Sequence, residues 1–183
     1  MNDLEDHKNM IDNFPLNEVI KISDLMIKSV KQGKTIFFLG CGGSAADAQH
    51  LAAELIGSYR NRQRLPISAI ALTTNTSVIT AIANDFGFDS VFERQVSGLV
   101  REGDIVVGIS TSGNSQSIIN ALLKAKEKKA ITIGFLGNTG GMMKNICDYA
   151  LLIPAKDTPR IQEGHILAGH ILCGLIEDSV TIK

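Results

Sequence analysis

The chain has no tryptophan and no apolar run approaching the roughly 18–20 residues of a membrane span. Nothing in it therefore predicts a transmembrane segment, and no membrane partner is expected. It also lacks an excess of charge of either sign: 18 Lys and Arg oppose 19 Asp and Glu, a formal net charge of -1. That balance argues against a nucleic-acid partner held by bulk electrostatics. Its three cysteines, Cys41, Cys147 and Cys173, are odd in number, widely spaced and without a CxxC pair. They suit a reducing compartment. The stretch from Met1 to Asn13 is polar and acidic, unlike a secretory leader. These absences together predict a soluble cytoplasmic protein.

Two nucleotide-binding signatures are missing as well. There is no GxxxxGK[ST] loop, and no GxGxxG followed by an acidic residue about 20 positions on. What is present is 183 residues, 44% of them hydrophobic. Such a chain suffices for one domain that buries about 70% of its unfolded surface. The expected division is a helical segment over about 3–32 and an α/β core over about 33–183.

Apolar runs at Thr35–Leu39, Ile67–Leu72, Ile105–Ile109, Ile131–Leu136 and Tyr149–Ile153 read as strands. Helical patterns fall at 15–30, 44–56, 73–83, 91–100, 115–129 and 160–179, and Asn84–Gly87 reads as a turn. Strands that alternate with helices, and are apolar throughout, predict a parallel sheet covered on both faces. In such sheets ligands bind beyond the carboxyl ends of the strands.

Two strands run straight into loops of small and hydroxylated residues that each open a helix. The first loop is Gly40-Cys41-Gly42-Gly43-Ser44, and the second is Gly108-Ile-Ser-Thr-Ser-Gly-Asn-Ser115. A helix N-terminus offers free N–H groups and positive potential, while Gly allows close approach and Ser or Thr adds donors. A neutral cradle of this kind suits a small phosphorylated metabolite better than a nucleotide.

After the first loop, His50 and Glu54 are four residues apart and share a helix face. The pair suits a divalent metal, acid/base work, or a plain surface contact. The last helix carries Gln162, Glu163, His165 and His170. Gln162 and His170 lie roughly 12 Å apart along a straight helix, an awkward span for joint ligation unless both lean inward or two subunits build the site. His165 points roughly 140° away from His170 and reads as structural. His7 lies in the polar terminus and reads as a surface residue.

Four stretches together carry a resemblance: Gly42-Gly-Ser-Ala-Ala-Asp-Ala-Gln-His50, Asn84-Asp-Phe-Gly87, Ser110-Thr-Ser-Gly-Asn-Ser115, and Arg160-Ile-Gln-Glu163 through His170. The chain resembles the phosphoheptose (sedoheptulose 7-phosphate) isomerases from about residue 15 to 180. The resemblance implies a single-domain, three-layer sugar isomerase (SIS) fold with a five-stranded parallel sheet flanked by helices. It implies interconversion of D-sedoheptulose 7-phosphate and D-glycero-D-manno-heptose 7-phosphate for bacterial surface heptose, in lipopolysaccharide or capsule. Matching positions place the phosphate at Ser110, Thr111, Ser112 and Ser115, with Ser44 nearby. The sugar would meet Cys41, Gly42, Gly43, Asn84 and Asp85, together with Glu54 and Gln162. One zinc per subunit would be held by His50, Glu54, Gln162 and His170. The family pattern further implies a homotetramer with active sites at subunit contacts.

Aldose–ketose isomerisation shifts a proton between C1 and C2 through an enediol(ate). Glu54 is the expected base on carbon and His170 the opposing acid at oxygen. Cys41 departs from the family pattern, which often has Asn there. It reads either as a tolerated small residue or as a thiol beside the ligand. A competing class is a non-catalytic SIS-domain sensor of sugar phosphates, or an adaptor for a replication initiator. Such a protein would keep the cradles without the acid/base set, whereas all four of His50, Glu54, Gln162 and His170 are present here.

Overall fold

In the computed structural model, which describes residues 2–181, the apolar runs assemble into one sheet. Its strands are β1 (Ile36–Gly40), β2 (Ala69–Ala71), β3 (Ile105–Ser110), β4 (Ile131–Gly137) and β5 (Tyr149–Ile153). All four pairings are parallel, in the order β2-β1-β3-β4-β5. Every residue of β1 and β3 is buried. Covering both faces of the sheet is what makes these runs apolar throughout.

Two cores result from the two-residue period of the strands. Phe38, Phe135 and Ile153 face one side and pack with Met26, Leu51, Leu55 and Ile176. That layer is built from α2 (Leu16–Lys31), α3 (Gly43–Ile56) and α8 (Thr158–Val180). The preceding helix α1 (Asp3–Asp12) packs on α8. Phe37, Leu39 and Val106 face the other side, against α5 (Val91–Leu99) and α6 (Gln116–Glu127).

Helix α4 (Thr76–Phe86) differs from the sequence expectation at both ends. It begins later than Thr73 because the Asn75 side chain caps it, accepting from the Val78 N–H at 3.1 Å. It runs through Asn84 to Phe86, where a turn is expected from the sequence, and stops at Gly87, whose φ is +85°. Although α4 is rich in Val, Ile and Ala, none of its residues is buried. A single 3₁₀ turn, Phe88–Ser90, leads from it into α5. The edge strand β2 is shorter than Ile67–Leu72, with only Ala69–Ala71 in register with β1. The four-residue helix α7 (Met143–Ile146) lacks enough residues to show a period in sequence.

Candidate active site

The two loops lie side by side because their strands are neighbours. Gly40, the last residue of β1, pairs with Ile109 of β3. Cys41 Sγ reaches to 3.7 Å from Ser117 Oγ, so the first loop touches the first turn of α6.

In the second loop, Ser110 Oγ lies 3.3 Å from Ser115 Oγ and accepts from the Gly113 N–H at 3.1 Å. Ser112 Oγ accepts from the Asn114 N–H at 3.2 Å. Gly113 is required twice: its φ is +66°, and a Cβ there would lie 2.0 Å from the Gly140 carbonyl oxygen. Ser115 stands at the N-cap of α6 without a side-chain capping bond. Ser110, Thr111, Ser112 and Ser115 thus lie in the loop that leads into the N-terminus of α6, the end of a helix that favours anions.

The first loop meets α8. A Cβ on Gly43 would lie 2.5 Å from Gln162 Nε2, so glycine here lets the Gln162 amide lie against the loop. Here Gly42 (φ +59°) turns the chain into α3, and Ser44 is buried beneath. Helices α3 and α8 then run alongside in one direction. Gly43 meets Gln162, Leu51 meets Gly169, and His50 meets His170.

Three side chains converge on this seam. His50 Nε2 is 3.2 Å from Glu54 Oε1 and 3.1 Å from His170 Nε2. The two imidazoles meet edge to face with centroids 4.9 Å apart. Nε2 facing Nε2 at this distance requires one ring to donate and the other to accept. One donor atom from each of the three residues lies within 4.8 Å of the others. Two imidazoles and a carboxylate are a donor set for zinc, whose tetrahedral bonds of about 2.0–2.1 Å put neighbouring donors roughly 3.3 Å apart. The separations of 3.1 and 3.2 Å from His50 fit such an ion.

Sequence reading overlooks Asp47, one turn before His50. Its Oδ2 is buried and has no hydrogen-bond partner among the described residues. Burial pushes its carboxyl above the ordinary range, and the nearby His50 pulls it partly back. The only signal available in sequence is its three-residue spacing from His50 on the same helix.

The remaining candidates are placed differently. Gln162 sits at Gly43, about 12 Å along α8 from His170 by helix geometry. Asn84 and Asp85 are exposed on α4 and bond to each other at 2.8 Å. Among the described residues no hydrogen bond joins them to either loop. His165 is fully buried. His7 makes a closer contact than a polar terminus suggests: its Nδ1 lies 2.6 Å from Glu163 Oε2, which anchors α1 to α8.

The SIS domain family model matches residues 8–137, which makes this an SIS-domain protein, in keeping with a parallel sheet that carries two loops of small and hydroxylated residues at its carboxyl edge. A phosphoheptose isomerase of Clostridium acetobutylicum is 51% identical over 163 residues, spanning 88% of this chain and 82% of that protein. The solved phosphoheptose isomerase GmhA of Neisseria gonorrhoeae superposes with a TM-score of 0.88 at 40% identity, over 96% of this chain and 92% of that one. A phosphoheptose isomerase structure from Francisella tularensis gives a TM-score of 0.90 at 31% identity, with the same coverages of 96% and 92%. The chain belongs to the phosphoheptose isomerase family.

Proposed function

We propose that the chain is an aldose–ketose isomerase that interconverts D-sedoheptulose 7-phosphate and D-glycero-D-manno-heptose 7-phosphate through an enediol(ate). One observation carries this reading: Glu54, His50 and His170 converge on a seam whose other end opens at the paired loops. From Ser44 to His50 is roughly 9 Å along α3, comparable to an extended heptose phosphate.

Ser110, Thr111, Ser112 and Ser115 would grip the phosphate, and Ser44, Cys41, Gly42 and Gly43 would line the path of the sugar. Anchoring the far end turns phosphate affinity into orientation of C1 and C2. Glu54 turns Oε1 toward His50, which leaves Oε2 for the carbon-bound proton. It removes that proton and returns it to the neighbouring carbon, while His170 exchanges protons with the substrate oxygens. Gln162, beside Gly43, would bond a substrate hydroxyl.

His50, Glu54 and His170 would hold the zinc ion, and because Gln162 of the same chain lies at the far end of the seam, the fourth donor expected from Gln162 would come from a neighbouring subunit. A bound zinc would polarise the carbonyl and hydroxyl oxygens of the substrate. The subunits would form a homotetramer in the cytoplasm, with the exposed apolar face of α4 covered by a neighbour and Asn84 and Asp85 brought to a site there. No helix among the described residues is long and apolar enough to cross a membrane. The product would feed bacterial surface heptose.

The decisive experiment is isotope exchange. Sedoheptulose 7-phosphate incubated with the protein and zinc in deuterated water should gain deuterium at the reacting carbon and yield the aldose. Tight binding of the sugar phosphate without exchange would overturn the isomerase in favour of a sensor.

A further inference from the structure

Tyr59 has no part in the assignments above, yet its ring stacks on that of His170. The two rings stack with centroids 5.6 Å apart and an interplanar angle of 24°. The Tyr59 ring also lies against Gly174, one turn further along α8, where a Cβ would stand 3.4 Å from Cε1. The Arg60 guanidinium lies over the same ring at 4.9 Å.

The segment carrying Tyr59 is fastened from within. Glu177, on the same stripe of α8 as His170 and Gly174, accepts from the N–H groups of Tyr59 (3.1 Å), Arg60 (2.8 Å) and Asn61 (2.9 Å). It also accepts from Arg64 Nε at 2.7 Å. The Arg64 side chain has 0% exposure and that of Glu177 3%. A second guanidinium nitrogen of Arg64 donates to the Glu54 carbonyl oxygen at 2.5 Å. One buried ion pair therefore joins the backbone of Glu54, the stem of α8 and the loop that presents Tyr59.

We propose that Tyr59 is a positioning residue for His170, held against the imidazole by the buried Arg64–Glu177 pair. The ring blocks rotation of the imidazole away from His50 and Glu54. This rests on the reading of His170 as a site residue. Loss of an outer-shell partner that hydrogen-bonds a metal-ligating histidine typically costs about 10–100-fold in metal affinity or activity, which sets the scale for a stacking partner.

The test compares the full-length chain with Tyr59→Leu and Tyr59→Phe. It reads kcat and KM for sedoheptulose 7-phosphate, zinc affinity by competition with a chromophoric chelator, and the melting temperature. Tyr59→Leu should lower kcat and zinc affinity at least about tenfold, with KM and melting nearly unchanged. Tyr59→Phe keeps the ring and should match wild type. Wild-type kcat and zinc affinity in Tyr59→Leu would overturn the proposal, as would equal impairment of Tyr59→Phe. If Tyr59→Leu does not fold, the wild-type protein decides through proton NMR: a cross-relaxation signal between the two rings supports the stack, and its absence refutes it. A wild-type chain inert toward the sugar phosphate would defeat the isomerase reading, while the zinc and NMR arms still judge the positioning of His170.

Discussion

His50 and Glu54 are four residues apart on one helix, and that relation is open to anyone who reads the sequence. Their meeting with His170 is not, because it depends on α8 lying beside α3 in a fixed register. Neither spacing nor composition points to Tyr59, which reaches the imidazole only through the fold. Asp47 is hidden for a related reason: burial of one carboxylate oxygen is a packing outcome. At this scale the proposed base is tested by Glu54→Gln, which keeps shape and removes basicity. Turnover should fall by about 10²–10⁴-fold, while circular dichroism and the binding of a phosphate-bearing inhibitor stay near wild type. Near-normal turnover would remove Glu54 from that role. Ser112→Ala tests the cradle, since it deletes one hydroxyl and the acceptor of the Asn114 N–H. The lost bond is worth about 1 kcal/mol, roughly a fivefold weaker sugar phosphate by calorimetry with kcat largely retained.

Elements are legible where burial is symmetrical and obscure where it is not. Strands β1 and β3 are covered on both faces, so continuous apolar runs announce them. Helix α4 misleads because its apolar residues are not buried within one chain, and a polar Asn84-Asp85 pair lies inside it. The spacing of Gln162 and His170 looks unsuited to one site on a single helix. The structure explains the tension by placing them at opposite ends of the α3–α8 seam. That seam closes through small residues. A Cβ on Gly169 would stand 2.4 Å from Leu51 Cδ2, one residue from both His170 and His50. Gly169→Val should therefore push the helices apart. Overpacking of this kind costs about 1–3 kcal/mol, which in a chain of this size lowers the melting temperature by about 2–12 °C. Activity should fall further than stability alone explains, as measured at a temperature where the variant is fully folded.

Two buried ionisable groups on α8 both keep their deprotonated forms in the folded molecule, one charged and one neutral, and both weaken it in acid. Burial tends to push the Glu177 carboxyl up, but Arg64 and three backbone N–H groups outweigh it and hold the carboxyl below the ordinary range. Its contribution is present above the unfolded carboxylate range and is lost only in stronger acid. His165 titrates earlier. It lies in the core beside Phe135, and neither ring nitrogen makes a well-formed hydrogen bond. Burial pushes its pKa down from 6.5 to about 4, and the Leu136 backbone offsets part of the effect. The folded state therefore resists a proton that the unfolded chain accepts. Stability from this source is complete above pH 6.5 and drains away toward pH 4, at a limiting slope of about 1.4 kcal/mol per pH unit. Urea unfolding at pH 7.5 and pH 5 should show a larger loss in the wild type than in His165→Leu, which keeps the core apolar and removes the titration. Because His7, His50 and His170 remain in both proteins, the difference between them isolates His165. Equal losses would mean that this imidazole is not what makes the fold sensitive to mild acid.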